Sequence, residues 1–300
     1  MAADFMDAPP SRTRTRADMS CLDAVRDCPR WVWKRFGDGE ALSMLAVLPE
    51  GYRSSDERPA VVFFHGGMWL TEHAAEFLPW ALQLAARGIV CLVPEYRTRA
   101  SHDVGAREIL QDAADVWSWT LANASLLGID PARVTLAGSD AGALMALHAG
   151  MPPLHPRRRL GWPLRRRKET HPLPACVAVF RGIVDLEAPE AALLGLPDDG
   201  GDLAAFDPVL RLGKHLPLLF SAHGMLDPLL DCRRSEWFAE EWKGCGNSAF
   251  HMTCPHGDHA FLYFNVNPQA FEQILFGWES FMVERGVWSS AQMESELLLT

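Results

Sequence analysis

The stretch Val134-Thr135-Leu136-Ala137-Gly138-Ser139-Asp140-Ala141-Gly142, followed by the apolar run Ala143 to Ala149, decides how the rest of the chain is read. Val134 to Ala137 has the composition of a short buried strand, and Ala143 to Ala149 is built of good helix formers. Between them Gly138 and Gly142 bracket Asp140. Strand, tight turn and helix at this spacing display one side chain from a strained turn at the edge of a sheet, because two glycines allow the close backbone packing that such a turn demands. The displayed side chain is Asp140, while Ser139 in the preceding position is expected to point away.

Working outward, Pro59 to Phe64 is a continuous apolar run, as expected of a strand buried on both faces, and it leads straight into His65-Gly66-Gly67. Ahead of it, Trp31 to Phe36 and Leu42 to Leu48 read as two antiparallel strands joined by Gly37-Asp38-Gly39. A helix is expected from about Thr71 to Ala86 and a strand over Ile89 to Val93. Ile109, Ala113, Val116 and Trp117 then recur at helical spacing, with a stop near Gly128. Beyond the central turn come strands Ala175 to Phe180 and Leu216 to Ser221, a helix from Cys232 to Lys243, a strand over Ala249 to Thr253 and a helix from Pro268 to Arg285. Short apolar runs alternating with longer amphipathic ones predict an α/β fold, a mostly parallel central sheet with helices on both faces.

The 300 residues, 48% of them hydrophobic and 22% charged, suit one globular domain over 26–288, with loosely ordered tails over 1–25 and 289–300. No apolar run is long enough to span a membrane, and Asp4, Asp7, Pro9 and Pro10 stand where a signal peptide would carry its apolar core, so a cytoplasmic protein is expected. Seven cysteines at 21, 28, 91, 176, 232, 245 and 254 include no C-x-x-C pair, which argues against a disulfide scaffold and a zinc site. The formal charge of -10 argues against nucleic-acid binding, which needs a basic face. One segment departs from that balance: residues 156–168, PRRRLGWPLRRRK, hold seven of the 28 basic residues and no acid. With Pro156 and Pro163 and no helical pattern, it reads as part of a solvated basic insertion over 154–172, the alternative being a patch that docks on acidic lipid or nucleic acid.

Three further segments supply groups that could act together with Asp140. The small residues of His65-Gly66-Gly67 let backbone N–H groups approach a developing negative charge, so Gly66 and Gly67, together with the N–H of Ala141, are candidate oxyanion donors. His223-Gly224-Met225-Leu226-Asp227-Pro228 follows one late strand, and Gly257-Asp258-His259-Ala260-Phe261 follows the next. Asp227 is then the candidate orienting acid and His259 the candidate base; His256 competes but lacks the Gly-x-His-x-Phe context. His65, Trp69 and Ser139 are candidate pocket residues, and Trp117 and Trp119 fit the core.

The segments VVFFHGGMW, VPEYR, NASLLGIDPARVTLAGSDAG, GMLDPL and GDHAFLYF resemble the esterase/lipase branch of the α/β-hydrolase superfamily, near its acetyl-esterase, feruloyl-esterase-like and arylformamidase-like members, over about residues 30–287. The resemblance implies an α/β-hydrolase fold, no cofactor or metal, a small-molecule ester or amide substrate, and a triad of elbow residue, Asp227 and His259 in that chain order. The sequence departs from the pattern at the elbow, where Asp140 replaces the nucleophile serine. The site is thus Asp140, His259 and Asp227, and ordinary serine-esterase activity is not expected.

Several roles for Asp140 remain open at this point. A carboxylate can attack an sp³ carbon and give an alkyl ester that water then cleaves, as haloalkane dehalogenases and epoxide hydrolases of the superfamily do. No Trp follows the elbow residue, however, and Tyr52, Tyr96 and Tyr263 lie in no evident lid, so neither of those activities is assigned. Alternatively His259 serves as the acid or base of a nonhydrolytic lyase or cyclase, or the fold is an inactive binder of a ligand or partner. The bland reading makes Asp140 a helix cap.

Overall fold

The computed structural model describes residues 25–37, 39–70, 74–153, 172–194 and 206–290. Most of the expected N-terminal tail, of the basic insertion and of the C-terminal tail lies outside them. Eight strands form one sheet: β1 (Arg30–Arg35), β2 (Ala41–Val47), β3 (Arg58–Phe64), β4 (Val90–Pro94), β5 (Ile129–Ser139), β6 (Cys176–Phe180), β7 (Leu218–Gly224) and β8 (Ala249–Cys254), in the order β1-β2-β4-β3-β5-β6-β7-β8. The β1–β2 and β2–β4 pairs are antiparallel, and from β4 to β8 every pair is parallel. The parallel strands therefore all deliver their C-terminal ends to one edge, the usual location of a site in such sheets.

Alternation along β3 explains the layering. Ala60, Val62 and Phe64 face one apolar core, and Val61 and Phe63 face a second. The first core is closed by α2 (Ala106–Ala122), α3 (Ala141–Gly150) and α4 (Cys232–Gly244), the second by α1 (Leu78–Ala86) and α5 (Pro268–Glu284). Helices cover both faces, as a parallel sheet requires. In the second core the buried rings of Trp80, Phe180, Phe220 and Trp278 form one cluster, Phe180 meeting Trp278 edge-on at 5.3 Å and Phe220 stacking on Trp278 at 5.8 Å. Each such ring contributes on the order of 1.5–3 kcal/mol through burial.

Three boundaries differ from expectation for local reasons. The helix expected from Thr71 becomes regular only at Leu78, after a 3₁₀ turn over Ala74–Phe77. Pro79 lacks an N–H and so belongs in a first turn. The helix expected to run towards Gly128 stops at Ala122, where the Asn123 side chain bonds back to the Trp119 carbonyl, and Gly128 instead takes φ +57° beside the Arg53 carbonyl. Finally, β7 runs on to Gly224, so His223 belongs to the strand and not to the loop after it.

Candidate active site

The turn after β5 is built as the glycine spacing suggested. A Cβ on Gly138 would lie 2.2 Å from the Gly142 carbonyl oxygen, and one on Gly142 would lie 2.2 Å from that of Phe64. Both positions exclude any side chain. Asp140, between them, takes φ 56° and ψ −122°, a conformation that costs a non-glycine residue of order 1–3 kcal/mol. Its surroundings hold it there: the Asp140 N–H donates to the Phe180 carbonyl at 3.1 Å, and its own carbonyl accepts from the Ile183 N–H at 3.2 Å.

The Asp140 side chain does not cap α3, although Asp140 stands at its N-cap position. It turns instead to the loop after β3, where one oxygen, Oδ2, accepts from the Gly67 N–H at 3.1 Å and from the Met68 N–H at a longer 3.4 Å. The second oxygen, Oδ1, is buried without a hydrogen-bond partner among the described residues. Burial raises the Asp140 pKa above the ordinary carboxylate value; the Gly67 N–H, Arg181 and His259 oppose the rise, and Glu76 adds to it. Met68 and Trp69 both adopt positive φ, 52° and 58°, which bends the loop so that successive amides point at Asp140.

The three amides expected to serve as oxyanion donors have different surroundings. The Gly66 N–H is bonded to Glu76 Oε2 at 2.7 Å, so it is already satisfied. Gly67 and Met68 are the amides that reach the carboxylate, and Ala141, which opens α3 with its side chain buried, makes no bond to it among the described residues. His65 is fully buried, with its ring stacked 4.2 Å from that of Tyr96, whose hydroxyl donates to the His65 carbonyl at 2.7 Å. It supports the loop from behind. Trp69 is buried, with its carbonyl accepting from the Arg99 N–H at 2.8 Å, and it packs in the first core. The Ser139 hydroxyl donates to Glu76 Oε1 at 2.6 Å, away from the turn's exposed side.

Asp227 and His259 come together as the chain order suggested, with His259 Nδ1 2.7 Å from Asp227 Oδ2. Asp227 also meets His223 Nε2 at 3.2 Å on the same oxygen and accepts the N–H groups of Leu229 and Leu230 on Oδ1 at 2.8 and 3.0 Å. Burial alone would raise its pKa, but the bonds from His223, His259 and the two amides outweigh it and hold the carboxyl well below the usual range. The contact on Nδ1 fixes the orientation of the His259 ring. His259 lies close enough to Asp140 for its charge to act on that carboxylate, whereas His256 is exposed.

Sequence motifs did not point to Glu76, Arg181, Tyr263 or His223. Glu76 and Arg181 pair at 2.5 Å with both side chains buried, and the Arg181 guanidinium lies 5.0 Å over the Tyr263 ring. A lone arginine at the end of the wholly apolar strand Cys176–Phe180 was the available signal, since a charge there needs a buried partner. Among the described residues, no group of three or more His, Cys, Asp or Glu side chains is placed to hold a metal ion, and no helix is long and apolar enough to cross a membrane.

A family model described as alpha/beta hydrolase fold matches residues 61–263, more than half of the chain. The esterase LipC of Mycobacterium tuberculosis is 26% identical over 254 residues, 77% of this chain and 60% of that protein. An isoprenylcysteine alpha-carbonyl methylesterase of Arabidopsis thaliana is 25% identical over 206 residues, 64% and 48% of the two chains. The chain spans between 20% and 60% of the length of the curated relatives it matches. Among solved structures, a thermophilic esterase of Thermogutta terrifontis with butyrate bound superposes with a TM-score of 0.74 at 26% identity, covering 88% of this chain and 96% of that one.

Proposed function

Since the chain belongs to the alpha/beta hydrolase family and is esterase-like in sequence and fold, we propose that it hydrolyses a small organic substrate through a covalent ester at Asp140, with His259 as base and Asp227 as its orienting anion. The observation that carries this reading is the division of labour between the two Asp140 oxygens. Oδ2 rests on the Gly67 and Met68 amides, while Oδ1 has no partner among the described residues and keeps its lone pairs.

In the first half-reaction Oδ1 attacks an sp³ carbon of the substrate, the carbon–oxygen bond forms, and the leaving group departs with its electron pair. In the second, His259 Nε2 takes a proton from water, and the hydroxide adds to the Asp140 carboxyl carbon. The charge then gathers on Oδ2, where the two amides already point. Collapse breaks the bond between that carbon and Oδ1, the alcohol leaves with the proton from His259, and the carboxylate has gained a solvent oxygen. Acyl esters suit this site poorly, because an acylated aspartate is an anhydride and the amides that would polarise a substrate carbonyl are bonded to the carboxylate.

The experiment is repeated turnover of candidate substrates in ¹⁸O water followed by peptide mass analysis. Mass gain at Asp140 supports the covalent ester; turnover without it would transfer the chemistry to His259 acting alone as acid or base. One observation favours a second reading, a ligand- or partner-binding protein without turnover: Oδ1 is buried against protein atoms. On that reading no substrate class labels Asp140, and the carboxylate is a plug for the amide cradle.

A further inference from the structure

The Glu76–Arg181 ion pair is buried at the centre of the site and has no part in the chemistry above. Its contacts are divided among three segments distant in sequence. Glu76 Oε2 accepts the Gly66 N–H of the loop after β3, and Oε1 accepts the Ser139 hydroxyl at the turn after β5 as well as Arg181 Nη2. Arg181, in turn, donates through Nη1 to the carbonyl of His259 and through Nη2 to the Tyr263 hydroxyl at 3.1 Å. Arg181 itself takes φ 41°, a left-handed conformation retained although any residue but glycine is disfavoured there. Buried ion pairs stabilise a fold little better than apolar side chains of similar volume, so stability alone does not account for this one.

We propose that Glu76 and Arg181 are positioning residues, a buried strut that fixes the amide cradle of Asp140 and the imidazole of His259 at one separation. The cradle end is held by Gly66, next to Gly67; the elbow end by Ser139, next to Asp140; the base end by the backbone of His259 itself. Loss of either partner frees the loops to drift relative to one another. The proposal rests on the reading that Asp140 and His259 serve one reaction, but its test does not need turnover.

The test is NMR of the resting full-length chain, following the Gly67 and Met68 amides and the Asp140 carboxyl carbon, in Glu76→Gln and Arg181→Met. The ionisable groups facing Asp140 are Arg181, His259 and Glu76, so removal of the Arg181 cation should move its titration upward and removal of the Glu76 carboxylate should move it downward. Both variants should shift the two amide signals. Where a substrate is in hand, kcat should fall roughly a hundredfold with KM little changed. Variants that fold with lower stability, yet leave the amides and the Asp140 titration as in the parent, would overturn the strut. If Arg181→Met does not fold, Arg181→Lys keeps a cation but cannot fork to His259 and Tyr263, and it should shift the amides in the same way. Shifted signals without ¹⁸O at Asp140 would sink the covalent reading alone; unshifted signals with ¹⁸O incorporation would sink the strut alone.

Discussion

Asp140, in the turn after β5, accepts two amide hydrogen bonds on one oxygen and none on the other, whereas Asp227, in the turn after β7, accepts four, spread over both oxygens. Both carboxylates are buried at the same edge of the sheet, and their acidities move in opposite directions. Desolvation is the largest influence on each and acts to raise both; at Asp227 the four bonds outweigh it, whereas at the more deeply buried Asp140 the Gly67 amide and the Arg181 cation do not. The fully bonded carboxylate meets two histidines, and on the covalent reading the half-bonded one keeps lone pairs for reaction.

The backbones of the two turns are alike in crowding, and the largest effects should come from breaking that likeness. A Cβ on Gly142 would meet the Phe64 oxygen at 2.2 Å, and one on Gly224 would meet the Gly257 oxygen at 2.3 Å. Gly142→Ala and Gly224→Ala should therefore each lose more than ~4 kcal/mol, seen as loss of cooperative unfolding or of soluble protein. Wild-type-like melting of either would mean that its turn opens more easily than the packing indicates. Next in size, Asp227→Ala strands two histidine donors and two amides, which should cost about 2–4 kcal/mol in denaturant unfolding. In the same comparison His259→Ala should lower turnover by on the order of 10²–10⁴.

The acid dependence of the two positions should have opposite sign. Asp227 has a depressed pKa in the fold, so its stabilisation is complete above the ordinary carboxylate range and is lost as pH falls through that range and below. Asp140 has a raised one, so its favourable contribution is present only below the ordinary range and disappears as pH rises through the raised value. Asp140→Asn should thus raise Tm at neutral pH, with the gain closing on acidification, and Asp227→Asn should lower it. Equal shifts at neutral and acid pH would refute the assigned charge states. The smallest effects are expected at neighbours outside the contrast: Ser139→Ala should cost ~1 kcal/mol through its single bond to Glu76, and His256→Ala should leave both turnover and Tm within error.

The course of the chain was readable because each signal was local. The apolar run before His65, the paired glycines around Asp140 and the order Asp140, Asp227, His259 all follow from short windows of sequence. What was not readable depended on long-range capture. Nothing near Gly66 indicates that a glutamate ten residues on takes its N–H and leaves Met68 to complete the cradle. Nor does any motif join Glu76 to Arg181, which lie 105 residues apart and meet because β5 pairs with both β3 and β6 and so brings the segments after those two strands to one edge. The helix start was misplaced for a different reason, since the apolar pattern outweighed Pro79 although a proline there marks a first turn.

The carboxylate that sits in the amide cradle is tethered to the chain and cannot be washed out. A reagent that bonds to a serine hydroxyl at such a turn would place its anionic oxygen between amides of this kind. At the displayed position this protein has the Asp140 carboxylate instead of a hydroxyl, and the Gly67 and Met68 amides are already bonded to it. In a cell extract treated with such probes it should stay unlabelled, and a survey by serine reactivity would pass over it; on the covalent reading, reagents that alkylate carboxylates are the ones that would mark it.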